Sequence, residues 1–529
     1  MQIQLKTFQS FATLLAGIFL FSSCQKENSS FTAPQSAIAA KASESKAPEK
    51  GTEFYALTNS NELIKYTTGR PLTELGSITI TNLAMGEKIL AIDFRPATGQ
   101  LYGVSNMSRL YIINHISGRA TAVGAAPFSP AINGTRVALD FNPTVDRIRL
   151  VTDNKQNLRL HPETGAVAAT DGAINPGDPE VVAVAYTNSF AGASATTLYD
   201  IDVASNKLYK QNPPNNGTLE LVGSLGVEAS GEGGFDISPD NSLALSVLFG
   251  RGDEDGGEEE SPGNKYRFYY INLETGEATN AGKVDREIIG LAIPTAPVAY
   301  AVSQTNNLII FNPGQAAPMF TKSITGLQMG ESVLGIDMRP ATGQLFALGS
   351  SSRIYTINTA NGAATVVGSG AFTPALNGTS FGFDFNPTVD RIRVVSNTGQ
   401  NLRLNPITGT VAATDMNLNP GTPSVDAAAY TNNFPGATAT ILYDIDFSAD
   451  NLYIQNPPNN GVLVSVGSLG VNADAATGFD IGGASGNAYA ILSSGADTKL
   501  YSINLMTGSA SAISSFPVKV NGFTVGLGF

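Results

Sequence analysis

The sequence predicts an all-β protein of two tandem five-bladed β-propeller-like domains, and three observations carry that prediction. First, 55 glycines and 28 prolines punctuate a chain of 529 residues in which only 14% are charged, the balance of short strands joined by many turns. Second, long segments recur at one separation. Asp93-Phe94-Arg95-Pro96-Ala97-Thr98-Gly99-Gln100-Leu101 returns 244 positions later as Asp337-Met338-Arg339-Pro340-Ala341-Thr342-Gly343-Gln344-Leu345. Asp140-Phe141-Asn142-Pro143-Thr144-Val145-Asp146-Arg147-Ile148-Arg149 returns from Asp384 to Arg393, and Gln211 to Gly217 returns at Gln455 to Gly461. Third, each copy carries a shorter rhythm: an apolar strand, a Pro/Gly turn, a second strand, then a Leu-Tyr-type strand leading to Thr-Gly. A unit of about forty to fifty residues holding four short strands has the sequence form of a propeller blade.

The blades can be counted from their opening strands. In the first copy these are Ile89–Phe94, Val137–Phe141, Val181–Tyr186, 234–237 and Ile288–Ile293. The last lies just ahead of the second copy, and its equivalent, Thr524–Phe529, lies at the end of the second. Each is expected to complete the blade that opens its own copy, closing a ring and hiding the sheet edges. The alternative is one ten-bladed ring, because only a short turn separates Ile293 from Val298. Two rings are favoured, since a unit of about 245 residues is an ordinary size for a self-sufficient domain. The boundaries expected are residues 51–294 and 295–529, with 42% hydrophobic residues to fill the cores.

The first 50 residues are of another kind. Lys6 sits in a polar start, an apolar run from Phe11 to Phe21 follows, and then Ser22-Ser23-Cys24. The run is too short to span a bilayer and suits the core of a signal peptide over residues 1–23. Cys24 is the only cysteine, so it has no internal disulfide partner. Leu20-Phe21-Ser22-Ser23-Cys24 resembles a bacterial lipobox, with Phe21 in place of the usual Leu, and that resemblance implies cleavage before Cys24 and lipidation of its sulfur. Gln25-Lys26-Glu27 is similar to the short Lys-plus-acidic tags of some surface-exported lipoproteins. Residues 24–50, rich in Ser, Ala, Lys and Pro, read as a flexible tether. The expected place is outside the cytoplasm, lipid-anchored to the bacterial outer membrane and open to surface display.

The repeated Asp-Phe-Asn-Pro-Thr-Val-Asp-Arg-Ile-Arg segment, with Gln-Asn-Leu-Arg-Leu downstream, resembles the bacterial domain-of-unknown-function family 4394 over nearly all of residues 51–529. The resemblance implies no activity and carries no catalytic residues.

Candidate sites follow from propeller geometry. The loops before each inner strand share a rim with the loops between second and third strands, and that rim is the expected binding face. It collects Glu87, Asn133 and Thr135 from one loop class and Asn106, Arg109, Asn154, Gln156 and Asn157 from the other, with Glu331, Asn377, Thr379, Arg353, Gln400 and Asn401 as counterparts. Glu87 and Glu331 are suited to orient a ligand hydroxyl or to act as acid or base, with a solvated loop residue as the plain alternative. Arg147, Arg149 and Arg159, with Arg391, Arg393 and Arg403, form the one duplicated basic feature. They suit a carboxylate or sulfate ligand, or pairing with Asp146 and Asp390.

Asp93, Asp140 and Asp236 each precede a Pro by three residues. They read as turn residues on the opposite rim rather than as a glycosidase pair. Asp200-Ile201-Asp202 and Asp444-Ile445-Asp446 place two carboxylates on one side of a strand, a weak signal for calcium and the only cofactor suggested. The acidic insertion 253–260 occurs in the first copy alone and reads as a solvated loop.

A net charge of −13 leaves no basic surface for phosphates, which excludes nucleic acid as a partner. The absence of Trp leaves stacking on sugars to Tyr and Phe. His115 and His161 have Thr359 and Asn405 as counterparts, and no phosphate loop, nucleophile elbow or His/Cys metal spacing is present. The function expected is noncatalytic binding of a small molecule, glycan or protein by propeller rims. The alternative is a carbohydrate hydrolase or lyase at the channel mouth.

Overall fold

A computed structural model describes residues 51–529 other than 70, 71, 252–263 and 316. The segments expected to be a signal peptide and a tether, Cys24 included, and the acidic insertion lie outside the described residues. Those described form ten four-stranded antiparallel sheets. A typical sheet runs outward in chain order, from Ile89–Phe94 through Leu101–Ser105 and Leu110–Ile113 to Ala120–Val123. The innermost strands are buried on both faces, as in Val181–Tyr186, because each is sandwiched between neighbouring blades. That is why they read as unbroken apolar or small-residue runs rather than as alternating patterns. Outermost strands such as Thr73–Thr79 are largely exposed.

Two sheets break chain order, and they close the rings. Ile288–Ala292 pairs with Glu53–Thr58, matching Tyr55 with Ala292 and Ala56 with Leu291. Val520–Val525 pairs with Ala299–Ser303, matching Tyr300 with Thr524. Ile288–Ala292 also packs on Ile89–Phe94, and Val520–Val525 on Val333–Arg339, so each set of five inner strands comes full circle. This is the two-ring architecture, and the ten-bladed alternative is excluded. The closing strand of the second ring lies four residues earlier than the sequence suggested, at Val520–Val525. After it the chain leaves the sheet: the Gly526 amide donates to the Val298 carbonyl at 2.8 Å, and the Gly528 amide to the Thr98 carbonyl at 2.9 Å.

The cores lie between blades. Tyr102, Val104 and Leu110 of one sheet interlock with Leu139, Phe141, Ile148 and Leu150 of the next, and each such side chain fully buried contributes about 1.5–3 kcal/mol. Five inner strands crowd the ring axis. A Cβ on Gly478 would lie 2.3 Å from the Phe523 Cβ, so the position tolerates only hydrogen. The mid-channel void in each ring is about 10 Å³, room for a single water.

Strand direction gives each ring a loop face, where chains enter inner strands, and a turn face, where they leave. The turn face of the first ring meets the second ring. Tyr300 donates to the Ala97 carbonyl at 2.9 Å, Arg95 Nη1 to the Gly343 carbonyl at 3.1 Å, and Phe190 stacks on Phe320 at 5.7 Å. Gly99, with φ of +70°, sits against the Phe529 ring, where a Cβ would fall 2.2 Å from Cζ.

Candidate functional site

The loop face brings Glu87 and Glu331 to equivalent positions, but they are neither displayed ligand groups nor solvated loop residues. Both are buried, at 4% and 6% exposure. Glu87 Oε2 accepts from Tyr111 at 2.6 Å and from the Ala84 amide at 3.2 Å, and Oε1 accepts from Ser105. Glu331 accepts from Tyr355 and Ser351, each at 2.5 Å, and from the Ser351 amide at 3.1 Å. Burial alone would raise the pKa of Glu87. The donated hydrogen bonds from Ser105, Tyr111 and the Ala84 amide, with the charge of Arg109, hold it below the ordinary Glu range. Glu331 is lowered in the same way against its burial by Ser351, Tyr355 and backbone amides. Both are ionised structural clasps tying the entering loop to the second and third strands.

The amides on this face behave alike. Asn154 donates to Asn133 Oδ1 at 2.9 Å, while Gln156 accepts from the Asn133 amide at 2.9 Å and donates to the Ala131 carbonyl at 2.8 Å. Gln400 repeats this with the Asn377 amide and the Ala375 carbonyl, both at 2.9 Å. Thr135 donates to Asp153 at 2.6 Å, Asn397 donates to Thr379 at 2.9 Å, and Asn106 accepts from the Lys88 amide at 2.9 Å. Arg353 donates to Ser351 at 2.5 Å. Asn157 and Asn401 are not on the rim. They lie inside, at 1% exposure, because their strand turns them towards the next blade.

There they meet the arginines. Arg149 donates to Asn157 Oδ1 and Asp171 Oδ2, each at 2.6 Å, and to Asn215 Oδ1 at 2.8 Å, while Arg159 grips the same Asp171 through two bonds of 2.8 and 2.9 Å. Arg393, Arg403, Asp415, Asn401 and Asn459 repeat the set. The anion held by this duplicated basic feature is therefore the chain's own carboxylate, and the guanidinium forks are already filled. Arg147 and Arg391 donate to the carbonyls of Asp146 and Asp390 at 2.7 and 2.8 Å. The carboxylates of Asp146 and Asp390 pair instead with Arg95 and Arg339. Asp171 and Asp415 escaped the sequence reading, although each ends a repeated Ala-Ala-Thr-Asp string.

The aspartates at the far ends of the inner strands give the largest correction. Asp93, Asp140 and Asp236 lie at the turn-face end, as expected, but they do not serve turns separately. They converge on the axis with carboxylate oxygens all within 4.8 Å of one another, and Asp337, Asp384 and Asp480 do the same in the second ring. All six are at most 3% exposed. Each carboxylate accepts from the inner strand of the following blade: Asp93 from the Phe141 amide at 2.7 Å, Asp140 from Tyr186 at 3.1 Å, Asp236 from the Ile293 amide at 2.5 Å. Burial pushes all six pKa values upward, and their neighbouring carboxylates push Asp93, Asp140, Asp337 and Asp384 further. Two unit charges at that separation repel by about 3 kcal/mol even at an effective dielectric constant near 20. In the second ring Thr524 lies between Asp337 and Asp480, at 2.9 and 2.8 Å; the first ring has Ala292 there.

The paired carboxylates singled out for calcium separate. Asp202 caps a turn, accepting from the Glu180 and Ala204 amides at 2.8 and 3.0 Å and from Ser205 at 2.6 Å. Asp446 does the same with residues 424, 448 and 449. Asp200 and Asp444 are wholly buried, and neither oxygen of either finds a hydrogen-bond donor. Burial drives both up to about 8, against the opposing pull of the Arg149 and Arg393 guanidinium groups.

Two concavities of ligand size open on the loop faces, at the same place in each ring: beside the turn that follows the second strand of the closing blade. The first, about 380 Å³, is polar. Lys88 donates to Asn59 at 3.2 Å, Asn59 to Glu287 at 2.9 Å, and Arg286 to Glu62 at 3.1 Å along its wall. The second, about 510 Å³, has Ile309, Met319, Pro517 and Val518 in its lining, with Gln304 and Lys519. Neither was visible in the sequence, since each joins the chain segment entering the closing strand to a turn more than 200 residues before it.

Among solved structures, the extracellular domain of the one-component system BT4673 from B. thetaiotaomicron is similar at 11% identity and a TM-score of 0.26, over 90% of this chain and 73% of that one. PorZ, a surface component of the type-IX secretion system of Porphyromonas gingivalis, is similar at 13% identity and a TM-score of 0.25, over 89% of this chain and 59% of PorZ. No curated protein matches the sequence. A domain of unknown function (DUF4394) matches twice, at residues 62–292 and 307–524, one match for each ring, and the chain belongs to that family.

Proposed function

We propose that this chain is a noncatalytic binding protein of the bacterial cell envelope, carried on a lipid at Cys24 and recognising a small molecule, glycan or protein with its loop faces. The observation that carries the reading is the pair of clefts at matching blade positions, of about 380 and 510 Å³, within the usual size of ligand pockets. Their linings differ, one charged and amide-rich, the other largely apolar. One chain therefore offers two dissimilar sites, and a ligand engaging both gains avidity without new contacts. The hydrolase or lyase alternative finds no free acid or base in the carboxylates that the sequence nominates for it at the channel mouth. Glu87 and Glu331 are held ionised with their oxygens engaged, and the axial aspartates lie sealed at the opposite face.

A binding screen against immobilised polysaccharides, peptides and small acids tests this. A ligand captured by the wild-type protein is expected to lose at least tenfold in affinity with Asn59→Ala plus Lys88→Ala, or with Val518→Asp. Capture unaltered by both sets removes the clefts from consideration. Turnover of any polysaccharide in the panel would overturn the noncatalytic reading, and palmitate labelling that survives Cys24→Ala would overturn the anchor.

A further inference from the structure

We infer that the second ring binds one divalent cation at the turn-face end of its channel, calcium by the chemistry of its donors, held by Asp337, Asp384, Asp480 and the side-chain carbonyl of Asn433. The inference is independent of the loop-face reading. Four observations carry it. The three carboxylates present oxygens within 4.8 Å of one another, so a cation central to them lies at most about 2.8 Å from each, a span that admits calcium distances, and a buried all-protein oxygen cage suits calcium better than magnesium, which keeps several of its waters. All three are at 1% exposure, and their hydrogen-bond partners are backbone amides, the Thr524 hydroxyl and the Asn433 amide, with no basic side chain among them.

Asn433, itself 1% exposed, points its Nδ2 at Asp480 Oδ1 from 3.5 Å and leaves its Oδ1 with no hydrogen-bond partner, and a half-turn of the side-chain amide exchanges the two and turns the carbonyl to the carboxylates. A buried carbonyl oxygen without a donor, next to three converging carboxylates, is what a hard cation satisfies and what protein hydrogen bonds here do not. Finally, Thr524 touches oxygens of both Asp337 and Asp480 but has one hydrogen to give. With both carboxylates ionised around a cation, the hydroxyl donates to one of them and leaves the other to the metal. The first ring has the same trio, but Ser189 stands for Asn433 and Ala292 for Thr524, so it lacks the side-chain carbonyl and the hydroxyl between the carboxylates.

The test uses the purified full chain. Elemental analysis of protein prepared without chelator is expected to find about one calcium per chain. After EDTA dialysis, calcium titration is expected to restore one equivalent by calorimetry and to raise the unfolding temperature of one transition. Asp384→Asn is expected to abolish both effects, and Asn433→Ala, a milder change, to weaken calcium binding about tenfold or more. Wild-type protein that neither retains nor takes up calcium, magnesium or manganese would overturn the inference and leave the trio as proton-sharing acids. Uptake unchanged by Asp384→Asn but lost in Asp140→Asn would overturn the assignment to the second ring.

Discussion

Asp200 and Asp444 make the stability of this protein fall as pH rises, in a way that one substitution per ring removes. Each is fully buried with no hydrogen-bond donor on either oxygen, and burial lifts it from 3.8 to about 8. A folded-state pKa above the unfolded one means the native state holds the proton more tightly. The contribution of these two groups is therefore greatest below pH 4 and is lost progressively up to pH 8. Within that window each residue contributes a slope of about 1.4 kcal/mol per pH unit, and the whole shift is worth on the order of 5 kcal/mol per ring. The axial trio of the first ring adds a slope of the same sign, so the discriminating measurement is a difference. Urea unfolding of wild type, Asp200→Asn and Asp444→Asn is compared at pH 5, 6, 7 and 8. At pH 5, where the wild-type carboxyls are neutral, each variant is expected to match wild type within about 1 kcal/mol. By pH 8 it is expected to be several kcal/mol more stable, in the transition of its own ring only. Parallel pH profiles would refute the reasoning, because they would mean these carboxylates already ionise freely in the folded state.

Three further outcomes are expected. Asp171→Ala strips Arg149 and Arg159 of their shared partner, leaving a 2%-exposed guanidinium uncompensated; thermal and urea unfolding should show a loss of about 3–5 kcal/mol, as for Asp415→Ala in the second ring. Glu87→Gln and Glu331→Gln keep the shape but turn an acceptor into a donor facing Ser and Tyr hydroxyls, costing about 1–3 kcal/mol. Because the native carboxylates titrate below the ordinary Glu range, the wild-type advantage over these variants should shrink as pH falls below 4. Gly478→Val forces a side chain where a Cβ alone would sit 2.3 Å from Phe523, and calorimetry should show the second ring destabilised by well over 1 kcal/mol with the first unmoved.

The rings were legible because the evidence for them is local. A 244-residue repeat, unbroken apolar inner strands and turn residues at fixed offsets follow from short-range chemistry, and the closing role of the last strand followed from the need to hide sheet edges. What failed was each judgement made one residue at a time. Asp93, Asp140 and Asp236 occupy the same place in three inner strands, one residue before the strand's last apolar side chain, and a ring carries equivalent places to one point on its axis. Their convergence was implicit in the repeat, but each was weighed alone as a turn residue. Glu87 was misjudged for the opposite reason. Its burial depends on Ser105 and Tyr111, partners on the next two strands whose aim the sequence does not reveal. Asn157 and Arg149 pair across adjacent strands of one blade, but their burial depends on Asn215 and the Pro214 carbonyl of the next, which the sequence does not bring to them.

The way each ring is fastened also bears on how the chain acquires its shape as it emerges from a ribosome or a translocation pore. The first ring lacks only Ile288–Ala292 to become a closed circle, so it can be complete while more than 200 residues have yet to appear. The second waits for Val520–Val525, and until that strand arrives the edge of Ala299–Ser303 stands open. A stalled or truncated product would thus carry one finished ring and one unzipped sheet, which makes the late half of the molecule the one most in need of a chaperone.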